Sequence, residues 1–143
     1  MKLIFGGAYQ GKLAFALKNE NLTEKEVYTF KKLEDCETPM ECIELADVAC
    51  RIPADAKVLD HFERFTYACA ADEKDALAYI RENPKMWEGR IVICDDVSQG
   101  VVPMDHTERA WREMNGRCLA YLAAGADEVY RVFCGIPQRI KPE

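Results

Sequence analysis

Residues 2–12 read Lys-Leu-Ile-Phe-Gly-Gly-Ala-Tyr-Gln-Gly-Lys, a short apolar run that breaks into glycine and closes on Gly-Lys. Helix formers follow from Lys12 to Asn19, with Phe15 flanked by alanines and a leucine. Gly6 to Lys12 therefore fits G-x-x-x-x-G-K in a strand–loop–helix setting, the spacing at which a backbone wraps a phosphate. Glycines let successive N–H groups converge on an anion, and the helix amino terminus adds its partial positive charge. Gly6, Gly7, Ala8, Tyr9, Gln10, Gly11, Lys12 and Leu13 are the candidate nucleotide-binding residues, with the Lys12 ammonium directed at the outer phosphates. Leu13 stands where a serine or threonine hydroxyl ligates Mg²⁺, so the loop brings no oxygen to a metal. The same loop also reads as an inherited tight turn that holds nothing.

A loop of this kind belongs in a sheet whose strands alternate with helices. Glu26–Phe30, Lys57–Phe62, Arg90–Cys94 and Glu128–Phe133 read as strands, and Ile136–Lys141 as a short sixth. Arg-Ile-Val-Ile-Cys at 90–94 is apolar without alternation, as a strand buried on both faces requires. Helical patterns occupy 38–52, where Thr38-Pro39 makes a cap and first turn, then 63–69, 72–82 and about 105–124. This order predicts an α/β fold, a phosphate-loop three-layer sandwich around a central, mostly parallel sheet. With 143 residues and no linker, repeat or low-complexity stretch, a single domain over 1–143 is expected.

Composition removes several function classes. Nineteen basic against twenty-five acidic side chains leave a net charge of −6, the wrong sign for a general nucleic-acid surface. No apolar run reaches a membrane span, and the amino terminus reads as a strand and not a leader. Seven cysteines, an odd number without C-x-x-C pairing, are expected to be reduced core thiols of a cytoplasmic protein.

A phosphate loop that works as an enzyme needs a carboxylate at the end of a nearby strand to organise metal and water. Asp60 closes the third strand and Asp95-Asp96 follow the fourth, at the edge where ligands of open α/β sheets collect. Asp60 and Asp95 are the candidate metal ligands. Each also has a plain reading as the cap of the next turn or helix. His61 could orient a phosphate or act as a base, but a structural role is the stronger expectation for it and for His106. Trp87 and Trp111 are expected to pack on the sheet, and Lys31 and Lys32 to lie in a solvated turn.

The last third reads Cys-Asp-Asp-Val-Ser-Gln-Gly-Val-Val-Pro-Met from 94, Arg-Ala-Trp-Arg-Glu-Met-Asn-Gly-Arg from 109, and Ala-Asp-Glu-Val from 126, ending on Gly135-x-x-x-x-Ile140-Lys141. Together with the Gly-Gly loop, this resembles the adenosylcobinamide kinase/adenosylcobinamide-phosphate guanylyltransferase family of cobalamin biosynthesis. The likeness is close over the first 17 or so residues and about 90–141, and loose between them. It implies a phosphate-loop domain, Mg²⁺ with ATP or GTP, a nucleoside triphosphate and a cobinamide-like small alcohol as substrates, and a homo-oligomer, with a trimer as the family pattern. Gly6, Gly7, Gly11 and Lys12 match the family loop, Asp60 the strand-end acid, and Asp95-Asp96 its Asn-Glu pair. Gly100, Val102 and Pro103 match its turn; Arg109, Arg112, Gly116 and Arg117 match its helix. The implied catalytic set is Lys12, Asp60, Asp96 and Arg109, with Arg117 also on the nucleotide. Two features depart from the pattern. The family's Asn-Gln after Gly-Arg is Leu119-Ala120, and no histidine lies between the second strand and residue 61, where the family carries the one that takes up GMP. Guanylyl transfer through that nucleophile is therefore not expected. The alternative is a degenerate relative with a regulatory or assembly role.

Overall fold

The computed structural model describes residues 1–32, 51–97 and 105–141. Six strands form one sheet: β1 (Lys2–Gly6), β2 (Val27–Thr29), β3 (Val58–Asp60), β4 (Ile91–Asp95), β5 (Glu128–Phe133) and β6 (Ile136–Arg139). Their order across the sheet is β2-β3-β4-β1-β5-β6, parallel except for the β5–β6 hairpin. β1 and β4 sit centrally and are buried by the chains beside and around them, so their apolar runs need no polar face.

Side-chain alternation along the strands sorts the core into two layers. Leu3, Leu59, Val92 and Val129 face the larger layer, under α2 (Phe62–Ala71), α3 (Ala76–Glu82) and α4 (His106–Gly125). Ile4, Val58, Ile93 and Val132 face the other, which α1 (Lys12–Glu20) covers through Ala16. Helices on both faces of a mostly parallel sheet are the expected sandwich. The third strand is shorter than its apolar pattern, because His61 turns left-handed (φ 61°) and Phe62 already begins α2.

Lys141, just beyond β6, has a structural use. Its ammonium donates to the carbonyls of Ala123, Ala124 and Ala126 at 3.0, 3.0 and 2.5 Å, capping the open carboxyl end of α4. The helix expected over 38–52 lies, up to residue 50, outside the described residues, as does the Gly100–Pro103 turn. Trp87 meets its expectation, packed on the core with its indole N–H on the Ile80 carbonyl at 2.9 Å.

The cysteines need one correction. Cys69, Cys94 and Cys118 are buried and free, but Cys134 is exposed at the β5–β6 turn with φ 52°. Burial pushes the Cys69 and Cys118 thiols up to about 12, and that of Cys94 well above its usual value. A thiol reagent at pH 7 should therefore count one fewer fast-reacting group in Cys134→Ser than in the wild type. Cys69, Cys94 and Cys118 should react only on unfolding.

Candidate functional site

Three backbone features shape the loop between β1 and α1. Gly6 lies so close to β5 that a β-carbon there would overlap the Val132 carbonyl. Tyr9 and Gly11 take positive φ values of 60° and 85°, which turn the chain back into α1. Gln10 then ties the loop to the β5–β6 turn. Its side-chain oxygen accepts the Cys134 N–H at 2.5 Å, and its carbonyl accepts the Gly135 N–H at 2.9 Å.

This loop forms one wall of a cavity of about 860 Å³ at the carboxyl edge of the sheet. The other walls come from Asp60, His61, Glu63, Arg64, Asp95 and Trp111. Lys12 is its charged floor, only 6% exposed. The ammonium donates to the Gly7 carbonyl at 2.6 Å and pairs with Asp95 Oδ1 at 2.7 Å. The lysine is thus held by loop and strand end together.

Asp60 is also buried, and its Oδ1 accepts the N–H of His61 at 2.9 Å. This is the turn-capping role foreseen for it, and the same side chain still borders the cavity. His61 Nδ1 lies 3.3 Å from Glu63 Oε1, which also accepts the Asp95 amide at 3.0 Å. Burial raises the pKa of Glu63 above its ordinary value; the Asp95 charge adds to the rise, while the Asp95 amide and His61 oppose it.

Behind this wall runs a buried polar chain. The Thr66 hydroxyl meets Asn115 Oδ1 at 2.8 Å, the Cys94 thiol meets the same oxygen at 3.5 Å, and the Trp111 indole N–H donates to the Glu63 carbonyl at 2.9 Å. Asn115 thereby fastens α4 to α2 and β4 under the site.

The expected site residues divide in two. Lys12, Asp60, Asp95 and the loop from Ala8 to Leu13 line the cavity. Arg109, expected to be catalytic, and Arg117, expected on the nucleotide, do not line it. They fall with Glu113 on one i, i+4 stripe of α4, whereas 108, 111 and 115 lie on the stripe facing the site and core. Arg109 is exposed, and Arg117 pairs with Glu113 at 2.5 Å beside a separate depression of about 520 Å³ that also holds His106. Asp96 is half-buried outside the cavity lining; its amide donates to the Gly6 carbonyl at 2.7 Å. Two expectations change in the opposite direction. Trp111 lines the cavity, edge-on to Tyr67 at 5.0 Å, instead of packing on the sheet, and Lys32 borders it too.

Glu63 was missed in the sequence. Its only signal is an acid three residues beyond Asp60, on the first turn of a helix otherwise read by its apolar positions. The oxygens present suit a hard divalent cation. Leu13 contributes none, but the Asp60 and Asp95 carboxylates border the cavity, and Glu63 Oε2 is buried there without a hydrogen-bond partner among the described residues.

The strand order, loop and strand-end acids define a P-loop NTPase-like α/β domain. Family comparison carries this further. The family model described as cobinamide kinase / cobinamide phosphate guanyltransferase matches residues 40–140, well over half of the sequence. The chain belongs to this family. It is also similar to the bifunctional adenosylcobalamin biosynthesis protein CobU of Salmonella typhimurium, 39% identical over 51 residues. That stretch is 36% of this chain and 28% of the relative, so the likeness spans under a third of that protein. Among the described residues no helix is long and apolar enough to cross a membrane.

Proposed function

We propose that the chain is a nucleotide-dependent phosphotransferase of the adenosylcobinamide kinase type, acting without the guanylyl-transfer half of the family's chemistry. The observation that carries this reading is Lys12: a buried ammonium set at the floor of a phosphate-sized loop, beside two strand-end carboxylates. Burial of a charged lysine is costly unless a partner anion compensates it. An incoming phosphate replaces Asp95 on Lys12 while the loop amides and the α1 amino terminus meet the phosphate oxygens.

The residues then divide the work. Lys12 neutralises charge on the transferred group, and Asp60 and Asp95 would hold Mg²⁺ with ATP or GTP. The metal, when bound, would supply charge stabilisation for the transferred phosphoryl group. Transfer forms a bond from phosphorus to the acceptor hydroxyl oxygen and breaks the bond to the nucleotide leaving oxygen. The hydroxyl proton passes to a carboxylate or imidazole of the cavity wall. A cobinamide-like alcohol is the acceptor that family membership suggests. For the nucleophile-dependent guanylyl step the sequence has no histidine before residue 61.

ATP and GTP with Mg²⁺ at millimolar concentration should raise the melting temperature, and cobinamide should support turnover. Absence of both effects would sink the reading. A second reading, a degenerate relative, is favoured by Leu13 and by the neutralisation of Lys12 by Asp95. Leu13→Ser separates them. Leu13 packs against the α1-side core, so the variant should lose some stability. If the remaining site is intact, Mg²⁺-nucleotide affinity should rise about tenfold, or 1.4 kcal/mol. A flat response in a calorimetric titration favours the degenerate relative.

A further inference from the structure

His61, Glu63 and Asp95 each offer one ligand atom within 4.8 Å of the others. We propose that these three side chains form a divalent-metal site that prefers a first-row transition-metal dication such as Mn²⁺ to Mg²⁺.

The orphaned oxygen points to the cation. Glu63 is only 5% exposed. Its Oε1 is served by the Asp95 amide and faces the His61 ring, whereas Oε2 is buried with no hydrogen-bond partner among the described residues. Leaving such an oxygen unmet costs about 1–3 kcal/mol, more when it carries charge. The adjacent ammonium does not answer it, since Lys12 is directed to Gly7 and Asp95. A metal does. Two ligand bonds of about 2.0–2.2 Å span at most about 4.4 Å, so the three donor atoms need only a small inward movement to share one ion.

The donor set decides the kind of ion. Mg²⁺ takes oxygen ligands and keeps its waters, while an imidazole nitrogen favours dications of the first transition row, among which Mn²⁺ is the one best suited to the two carboxylates beside it. The nearby thiol is not part of the set, for Cys94 is buried and turned to Asn115. All three ligands come from β4 and the β3–α2 junction, not from the loop, where Leu13 has no oxygen to give. The site requires no nucleotide and so goes beyond the phosphotransferase reading.

The test uses the full, metal-free chain without nucleotide, titrated with Mn²⁺ and followed by electron paramagnetic resonance. One tightly held Mn²⁺ per chain is expected, with nitrogen modulation from a coordinated imidazole in the pulsed spectrum, and with Mg²⁺ competing at least about tenfold less well. Glu63→Gln should abolish the binding. His61→Asn, which retains a residue tolerant of the left-handed backbone, should weaken it roughly 10-fold or more and remove the nitrogen modulation. If Glu63→Gln fails to fold, His61→Asn alone decides. No Mn²⁺ bound at millimolar concentration overturns the site, as does equal binding by the folded variants or nitrogen modulation that survives in His61→Asn. Nucleotide binding in a chain that takes no Mn²⁺ overturns this site alone. Mn²⁺ binding in a chain that takes no nucleotide overturns the phosphotransferase reading alone.

Discussion

Gly6→Ala should lower stability by about 3 kcal/mol, near the upper end of what overpacking costs. The added β-carbon would run into the Val132 carbonyl and stand 3.4 Å from the carbon that bears it. Both are backbone atoms, in neighbouring strands near the centre of the sheet, so no flexible side chain can give way. Relief requires β1 and β5 to part at their carboxyl ends, where the phosphate loop starts. For a chain of this length the cost corresponds to a fall in melting temperature of roughly 6–12 °C. Gly7→Ala is the matched control: its β-carbon would meet only Gln10 Cγ, at an ordinary 3.6 Å, and its effect should be small. Urea unfolding of the pair measures the difference. Equal stabilities would mean that β1 and β5 are not packed as tightly as described.

That contrast also shows what could be read before the structure. The first glycine of the motif looked like one of several residues freeing amides for a phosphate. Its sharper role is the close approach of two strands, which depends on a partner 126 positions away in sequence (132 − 6 = 126). Local patterns gave the strands, most helices and the loop, because spacing and apolar alternation are properties of neighbouring residues. They also gave Lys12, Asp60 and Asp95, since strand-end placement follows from the fold class. That Arg109 and Arg117 lie off the cavity lining was not legible from the family likeness, because a matched motif says nothing about rotation around the helix axis. Reading α4 by its period, with Trp111, Asn115, Cys118 and Leu122 inward, would have put both arginines on the outer face. Glu63 stayed hidden between Phe62 and Phe65, whose burial dominates the local pattern. Its meaning depends on Asp95, which a β3–β4 pairing brings beside it. Cys134 misled in the reverse sense: it follows an apolar strand, yet a positive-φ turn carries it to the surface.

Lys12→Ala should abolish most nucleotide affinity, and its effect without nucleotide makes the loss interpretable. A charge-assisted contact to phosphate contributes about 2–3 kcal/mol, so binding should weaken roughly 30- to 150-fold. The same substitution also removes the partner of Asp95 and leaves that carboxylate close to Glu63, at a stability cost of about 1–3 kcal/mol. A melting experiment on Lys12→Ala alone would therefore show a loss even if the loop never met a phosphate. Adding Asp95→Asn resolves this. The amide keeps the shape of the side chain and removes the unpaired charge, so the double variant should regain most of the nucleotide-free stability. It should not regain the ligand-induced shift, because the ammonium that meets the phosphate is still missing. In the wild type, a ligand at a hundred times its dissociation constant adds about 2.7 kcal/mol to stability. A double variant that melts like the wild type without nucleotide and shows no such gain with it, while Asp95→Asn alone keeps the gain, places the phosphate on Lys12. A double variant that gains as much as the wild type means that the lysine serves only to pin the loop to β4.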